Sequence, residues 1–331
     1  MSVPVIYNNK PLMPSTEKHA RQMVKSRKAT PFWKRGIFCI RLNQKPSSFN
    51  LQPVAVGIDP GSKKEAFTVK SKTHTYLNIQ ADAVSHVKKA IEDRRNMRRG
   101  RRFRKTPWRQ NKMNRKHGGL PPSTKARWQW KLRIIAQLAK IYPITDIIVE
   151  DIKAMTKEGK RKWNLSFSPL EAGKKWFCSE LEQFGHVKLI EGYTTKTLRD
   201  SLGLKKTKAK LSEVFEAHCV DSWVMANACI GGHEKPDNTG IMFISPIRLH
   251  RRQLHAFQSA KSGFRRLYGG TRSLGLKRGS LVKHSKYGYC YVGGTMNDRI
   301  SLHSLKDGKR LCQNAKLSDI IFKTYNIWQA R

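Results

Sequence analysis

Acid is what this chain has least of: 23 Asp and Glu stand against 66 Lys and Arg over 331 residues, giving a formal net charge of +43 and a sequence pI near 10.5. Because the excess is spread along the whole chain rather than gathered on one amphipathic helix, it points to a polyanionic partner, nucleic acid before an acidic membrane surface. Long apolar runs are missing too. No stretch approaches the ~18 apolar residues of a membrane span, and the opening MSVPVIYNNKPLMP has no cationic region followed by an apolar one, so the expectation is a cytoplasmic protein. The six cysteines (Cys39, Cys178, Cys219, Cys229, Cys290 and Cys312) include no Cys-x-x-Cys pair, which argues against a zinc ribbon and a disulfide framework and for packed, reduced thiols. Disorder throughout is excluded by 38% hydrophobic residues and eight Trp, enough to bury a core in two or three domains.

What is there falls into three parts. Residues 1–52 form a small basic unit in which KPLMPSTEKHARQMVKSRKA reads as a turn, an N-cap at Ser15 or Thr16 and one helix, followed by a strand-like GIFCIRL. From 53 to 245 the pattern changes. VAVGID, EAFTVKS and THTYLNIQ read as an antiparallel meander. After an arginine-rich insertion at about 84–118 come alternating units: a helix carrying Trp128, Leu132, Ile135 and Leu138, with its N-cap at Ser123 or Thr124; the strand ITDIIVED; the helix EAGKKWFCSELEQF; the strand HVKLIEGY; and a helix over about 212–229. A meander followed by alternating units is the order of an RNase H-like α/β domain. Residues 246–331 are basic again, with RGSLVKH, YGYCYVGG, RISLHSL and LCQNA as short strands that suggest a small barrel.

The insertion is the strongest compositional anomaly: Ser85–Lys116 holds 14 Lys and Arg against two acids, and nine of the 14 are Arg. It has little to bury, so it reads either as an isolated solvated helix or a disordered arm, or as a helix that grips phosphates. The planar fork of Arg suits bidentate phosphate contact. Arg94, Arg95, Arg98, Arg99, Arg101, Arg102, Arg104 and Arg109 are the candidate nucleic-acid contacts, with Phe103 and Trp108 able to stack on bases.

Against this background three acids interrupt apolar segments: Asp59 in VAVGIDPGS, Glu150 in ITDIIVED and Asp221 in EAHCVDSWVMA. An unpartnered carboxylate taken out of water loses several kcal/mol, and a bound divalent cation restores it. Each acid has a plain structural alternative. Asp-Pro-Gly makes a turn on its own, an acid at a strand end is common, and strand parity leaves either Glu150 or Asp151 facing a site. At 100° per residue Val214, Ala217, His218, Asp221, Met225 and Ala228 share one helix stripe, which a buried His-Asp pair would also explain. Together, three acids on separate elements and one imidazole make a two-metal site. Two Mg²⁺ about 3.5–4 Å apart, for which Mn²⁺ can substitute, serve phosphodiester hydrolysis in such sites. Asp59 is assigned to bridge both, Glu150 and Asp221 to hold one each, and His218 to take the proton of water or to orient the scissile phosphate.

VGIDPGS, an arginine-rich helix, IIVEDI and HCVDS, in that order, resemble the split RuvC core of transposon-encoded RNA-guided nucleases, and KPLMP at Lys10–Pro14 resembles the N-terminal signature of the IscB and IsrB families. The resemblance implies a PLMP domain (1–52), a split RuvC domain (53–245) with a bridge helix, and a C-terminal domain (246–331). IscB proteins carry an HNH nuclease between the second and third RuvC segments. Here the 66 residues between Asp151 and His218 hold a single histidine, His186, so the chain resembles the HNH-lacking IsrB branch. TnpB, the near alternative, lacks KPLMP and carries a four-cysteine zinc element that Cys219 and Cys229 cannot form. The resemblance implies a nickase of the displaced strand, monomeric in a 1:1 ribonucleoprotein. A long ωRNA pairs with the target strand, and the protein reads a short target-adjacent motif in double-stranded DNA. The C-terminal domain is the family's place for that readout, with Arg248, Arg251, Arg252, Arg265, Arg266, Arg272 and Lys277 as contacts to bases or phosphates. Two other readings use the same residues: an RNA-independent, resolvase-like RNase H-fold nuclease, and a non-catalytic RNA-binding protein.

Overall fold

The computed structural model describes residues 2–105, 120, 122–154, 168–246, 272–296, 298–325 and 328–330. They form two compact units, residues 1–244 and 245–330.

The first unit begins with a four-stranded sheet in the order β2-β1-β4-β3, made of β1 (Ser2–Tyr7), β2 (Lys10–Thr16), β3 (Ala29–Lys34) and β4 (Ile37–Leu42). Between β2 and β3 lies α1 (Glu17–Lys25), capped by the Thr16 hydroxyl, which accepts from the His19 amide at 3.3 Å and satisfies one orphan donor of the first turn. KPLMP is therefore a strand and not the expected turn. Its prolines are tolerated because β2 is an edge, where a missing N–H costs no ladder bond. Val3, Val5, Leu12, Ala20, Ala29 and Ile40 close the small core.

The central sheet of this unit runs β10-β7-β6-β5-β8-β9. β5 (Val54–Asp59), β6 (Lys64–Ser71) and β7 (Thr75–Asp82) are the antiparallel meander, while β8 (Asp146–Asp151) and β9 (His186–Glu191) add in parallel beside β5, and β10 (Ile241–Pro246) in parallel beside β7. This order, with only β6 antiparallel to its neighbours, is the RNase H-like arrangement, as the meander-then-alternation pattern predicts. Helices cover both faces. Ala66 of β6 packs with Cys219, Val220 and Trp223 of α6 (Cys219–Ile230). Its neighbour Glu65 points to the opposite face by strand alternation and meets Lys131 of α3 (Pro122–Leu138) at 2.6 Å. Both members of that pair are buried.

The insertion forms α2 (His86–Phe103), an 18-residue helix whose one buried residue is Val87. Arg94, Arg95, Arg98, Arg99, Arg101, Arg102 and Arg104 are all exposed, as is Phe103 at 90%. Arg109 and Trp108 lie outside the described residues. α4 (Pro169–Leu181) and β9 fall where their patterns place them, but α5 (Gly192–Ser201) has no apolar periodicity in GYTTKTLRDS to mark it as a helix.

The expected helix over 212–229 is corrected. A short 3-10 turn at Phe215–Ala217 stops at His218 (φ −143°, ψ −38°), and α6 begins only at Cys219. Val214 and Ala217 therefore do not share its stripe. α6 is buried all round from Cys219 to Asn227, so its polar residues mark a buried helix rather than an amphipathic one.

In the second unit a hairpin of β11 (Arg272–Ser273) and β12 (Leu276–Lys277) precedes an antiparallel sheet. Its order is β16-β15-β14-β13-β17, from β13 (Ser280–His284), β14 (Gly288–Met296), β15 (Arg299–Ser304), β16 (Arg310–Lys316) and β17 (Ile320–Tyr325). The sheet is β-rich as expected, with Val282, Cys290, Val292, Ile300 and Leu302 as its core. Among the described strands it stays open, with β16 and β17 at its ends, where a small barrel was expected.

Candidate active site

The site is assembled by two backbone arrangements. Parallel pairing sets Ile58 of β5 opposite Val149 of β8, and the next step of that register brings Asp59 alongside Glu150 at the carboxyl ends of adjacent strands. The turn after Asp59 is tight: a Cβ on Gly61 would lie 1.7 Å from the Lys64 carbonyl oxygen. The second arrangement seats α6 on β5. At Gly57 a Cβ would lie 1.8 Å from the Ser222 carbonyl oxygen and 3.2 Å from the Ala226 amide nitrogen, so only glycine lets the helix approach this closely. That approach carries Asp221, in the first turn of α6, to the strand ends. A bond between the Thr68 and Ser222 hydroxyls (2.8 Å) ties the helix to β6.

All four predicted site residues meet here. Asp59 is 6% exposed and Asp221 2%. His218 Nδ1 lies 2.9 Å from Asp59 Oδ2, and its Nε2 lies 2.9 Å from the Lys210 carbonyl oxygen. Since a carbonyl only accepts, Nε2 carries a proton, and a second proton on Nδ1 completes the bond to the carboxylate. Burial opposes that imidazolium, but the Asp59 bond and charge and the Lys210 carbonyl outweigh it, and the His218 pKa lies above its ordinary value. In this arrangement the ring is a cation and donor at both nitrogens, which suits orientation of a phosphate rather than removal of a proton from water.

The carboxylates are sharply differentiated. Burial disfavours the Asp59 charge, yet the bond from His218 and the nearby charge of Lys206 hold its pKa below the usual range. Glu150 is pushed up to about 8, by burial first and then by the charges of Asp59 and Asp221 and its hydrogen bond to Asp59. The parity question is resolved in geometry: Glu150 couples to Asp59, whereas Asp151 takes an ion pair from Lys174, which also meets Glu171 at 2.8 Å. Gly192 leaves room for Glu150, since a Cβ there would lie 3.0 Å from Oε1.

Asp221 holds two cations that local sequence offers no reason to place here. Arg199 of α5 donates from Nη1 to Oδ1 at 2.6 Å, and Lys206 Nζ contacts Oδ2. Nothing nearby in the chain marks either residue; they lie 22 and 15 positions from Asp221. Among the described residues no three His, Cys, Asp or Glu side chains close into a metal-holding cluster, and basic side chains supply the counter-charge. The donor chemistry nonetheless fits a hard divalent cation: carboxylate oxygens from three elements, those of Asp59 and Asp221 buried and that of Glu150 partly so, mutually repelling and already drawing positive charge.

Of the seven basic residues singled out in the C-terminal region, Arg248, Arg251, Arg252, Arg265 and Arg266 lie outside the described residues. Arg272 is on β11, and Lys277 on β12 stands over the Tyr325 ring at 5.5 Å. A hollow of about 340 Å³ opens on the sheet instead, lined by Arg278, Arg299, His303, Arg310, Gln313 and Asn314 among others.

Comparison with known proteins gives a partial match. Residues 3–162 match a family model described as RRXRR protein, and Arg98-Arg99-Gly100-Arg101-Arg102, inside that span, spells the pattern in the name. No curated protein matches the chain. Several solved structures are similar at low identity, among them three nucleases. Thermus thermophilus RuvC in complex with Holliday junction substrate is 13% identical, with 54% of this chain and 97% of that one covered, at a TM-score of 0.31. A second Thermus thermophilus RuvC structure is 12% identical, with 54% and 96% covered, at 0.29. Ydc2, the yeast mitochondrial Holliday junction resolvase, is 12% identical, with 55% and 80% covered, at 0.28. At such distances the likenesses carry nothing about chemistry, which rests on the side chains described above.

Proposed function

We propose that this protein is a divalent-metal-dependent DNA endonuclease, guided by an RNA and cutting one strand. The observation that carries the nuclease reading is the convergence of Asp59, Glu150, Asp221 and His218 at one edge of an RNase H-like sheet, within a chain of net charge +43. Carboxylates gathered in a polyanion-binding protein serve to hold cations against phosphate.

Asp59, Glu150 and Asp221 would hold Mg²⁺ or Mn²⁺. Bound there, such a cation supplies activation of water and neutralisation of charge at the leaving 3′ oxygen. The protein's own part is positioning. β5, β8 and α6 fix three carboxylates on rigid elements, and His218, clamped at both nitrogens, presents positive charge toward a bound phosphate. The exposed arginines of α2 supply a stripe that tracks a nucleic-acid backbone, with the ωRNA as its partner and base pairing as the reader of sequence. The C-terminal sheet is assigned to readout of a target-adjacent motif in duplex DNA. A single cut is the expectation from the sequence between Asp151 and His218, where one histidine, His186, leaves no place for an HNH nuclease.

The test is nicking of a supercoiled plasmid by the purified ribonucleoprotein with Mg²⁺. Asp59→Ala should abolish nicking and leave RNA binding intact. Replacing Arg98, Arg99, Arg101 and Arg102 with Gln should weaken RNA binding and flatten its salt dependence, by about 0.9 in log–log slope for each duplex phosphate no longer neutralised, about 0.7 on a single strand. Undiminished nicking by Asp59→Ala would overturn the nuclease reading, and an unchanged salt slope would remove α2 from the interface.

A further inference from the structure

Lys206 sits in the connector between α5 and α6, which is held at several points. The Thr207 amide donates to the Glu216 carbonyl at 3.0 Å, the Lys210 carbonyl accepts from His218 Nε2, and the Ser212 carbonyl accepts from Gln80 Nε2 at 3.0 Å. This frame delivers the Lys206 ammonium onto Asp221 Oδ2 and within electrostatic reach of Asp59 and Glu150. Arg199 shares Asp221 but differs in kind. Its side chain is 12% exposed and comes from a helix, whereas that of Lys206 is 30% exposed and comes from a connector. A guanidinium fork is fixed by its bonds, and an ammonium on a four-carbon stem is a mobile point charge. Charge balance sharpens the contrast. Asp59 and Asp221 already face three groups able to carry positive charge, Arg199, Lys206 and His218, so a divalent cation joins this set more favourably if one of them withdraws. Lys206 is the one with a path to solvent.

We propose that Lys206 is a positioning residue of the site: its ammonium holds the carboxylates of Asp221, Asp59 and Glu150 together and competes with a divalent cation, which must displace it to bind. This rests on the metal-dependent reading above and adds a residue to it. The arrangement keeps the acids converged and their repulsion low without a metal, at the cost of weaker metal binding. It also couples metal entry to the connector, because the same segment clamps His218 through Lys210.

Metal affinity, not activity, tests it. Mn²⁺ binding to the RNA-free full-length chain is measured from the decrease of the free-ion electron paramagnetic resonance signal. Lys206→Met should tighten the dissociation constant by at least about tenfold, a discounted share of a close-range charge interaction at a partly exposed site. Lys206→Gln, which keeps a polar group without the charge, should do the same. Lys206→Arg and Lys208→Met, the latter removing an equal charge from an exposed position in the same connector, should stay within about twofold of the parent chain, since a screened surface charge contributes little. Thermal unfolding confirms that each variant is folded. Equal affinity in Lys206→Met, Lys206→Gln and the parent chain overturns the proposal, as does equal tightening by Lys208→Met. Asp221→Asn separates the two levels: if it leaves Mn²⁺ binding unchanged, the metal reading itself falls and the Lys206 assignment with it.

Discussion

Replacing Gly57 with alanine should damage both stability and the site, through one methyl group. That Cβ would stand 1.8 Å from the Ser222 carbonyl oxygen, whereas ordinary van der Waals separation begins near 3.4 Å, so α6 must retreat by about 1.6 Å, the difference between the two. The obstacle is helix backbone, which cannot swing aside as a side chain would, and overpacking of this kind costs about 1–3 kcal/mol. The second consequence is geometric. Asp221 rides on the displaced helix while Asp59 stays on β5, and a misplacement of about 1 Å among reacting groups costs on the order of 100-fold in rate. Urea unfolding reads the first effect, and for the proposed nickase single-turnover nicking of a supercoiled plasmid by the RNA-loaded protein reads the second. Gly100→Ala in α2 is the internal control. A Cβ there meets nothing within 4 Å, and alanine raises helix propensity by up to about 1 kcal/mol, so the same substitution should be neutral or stabilising. If Gly57→Ala kept parental stability and nicking, α6 would not be seated on β5 as described, and the account of how Asp221 reaches the site would fail.

Two further outcomes follow from buried charge. Lys131→Met strands Glu65, which is 1% exposed and already has one carboxylate oxygen without a partner, so unfolding should become easier by about 3–5 kcal/mol, while the double change Glu65→Met/Lys131→Met should recover most of that deficit; a mild single change would show that the pair is open to water. In the metal-free chain, Glu150 (about 8, against 4.5) and His218 (above 6.5) both bind protons more tightly when folded. The stability they contribute is complete below those ordinary values and is lost as pH rises, for Glu150 through about 8. Urea unfolding in chelator from pH 5 to pH 8 should show falling stability, with a shallower fall in Glu150→Gln; an equal slope in the two proteins would contradict the raised Glu150 pKa.

Much of the architecture is legible from period alone. The strands β5 to β9 show themselves as short apolar or alternating runs bounded by turn residues, β5 being buried at every residue, and the helices α3 and α4 by their longer apolar pattern. α5 does not, because GYTTKTLRDS is mostly polar and its helix is held by Thr195, Arg199 and the neighbours they meet. The expected helix start near 212 fails for a related reason. α6 is buried on every side, so no stripe marks where it begins, and the break at His218 serves the ring's two hydrogen bonds rather than helix propensity. KPLMP misleads in the other direction: prolines that favour a turn are equally at home on an edge strand.

By itself the sequence pointed to a polyanionic partner and determined that α2 cannot bury its arginines and that Asp59, Glu150, His218 and Asp221 needed compensation in apolar surroundings, since composition and local pattern set the cost of burying charge. Only the tertiary structure decided that Glu150 and not Asp151 faces Asp59, that Gly57 admits α6, and that Arg199 and Lys206 converge on Asp221. Those are matters of register and long-range approach, and a one-residue change of strand facing or an ångström of helix displacement leaves no trace in local sequence.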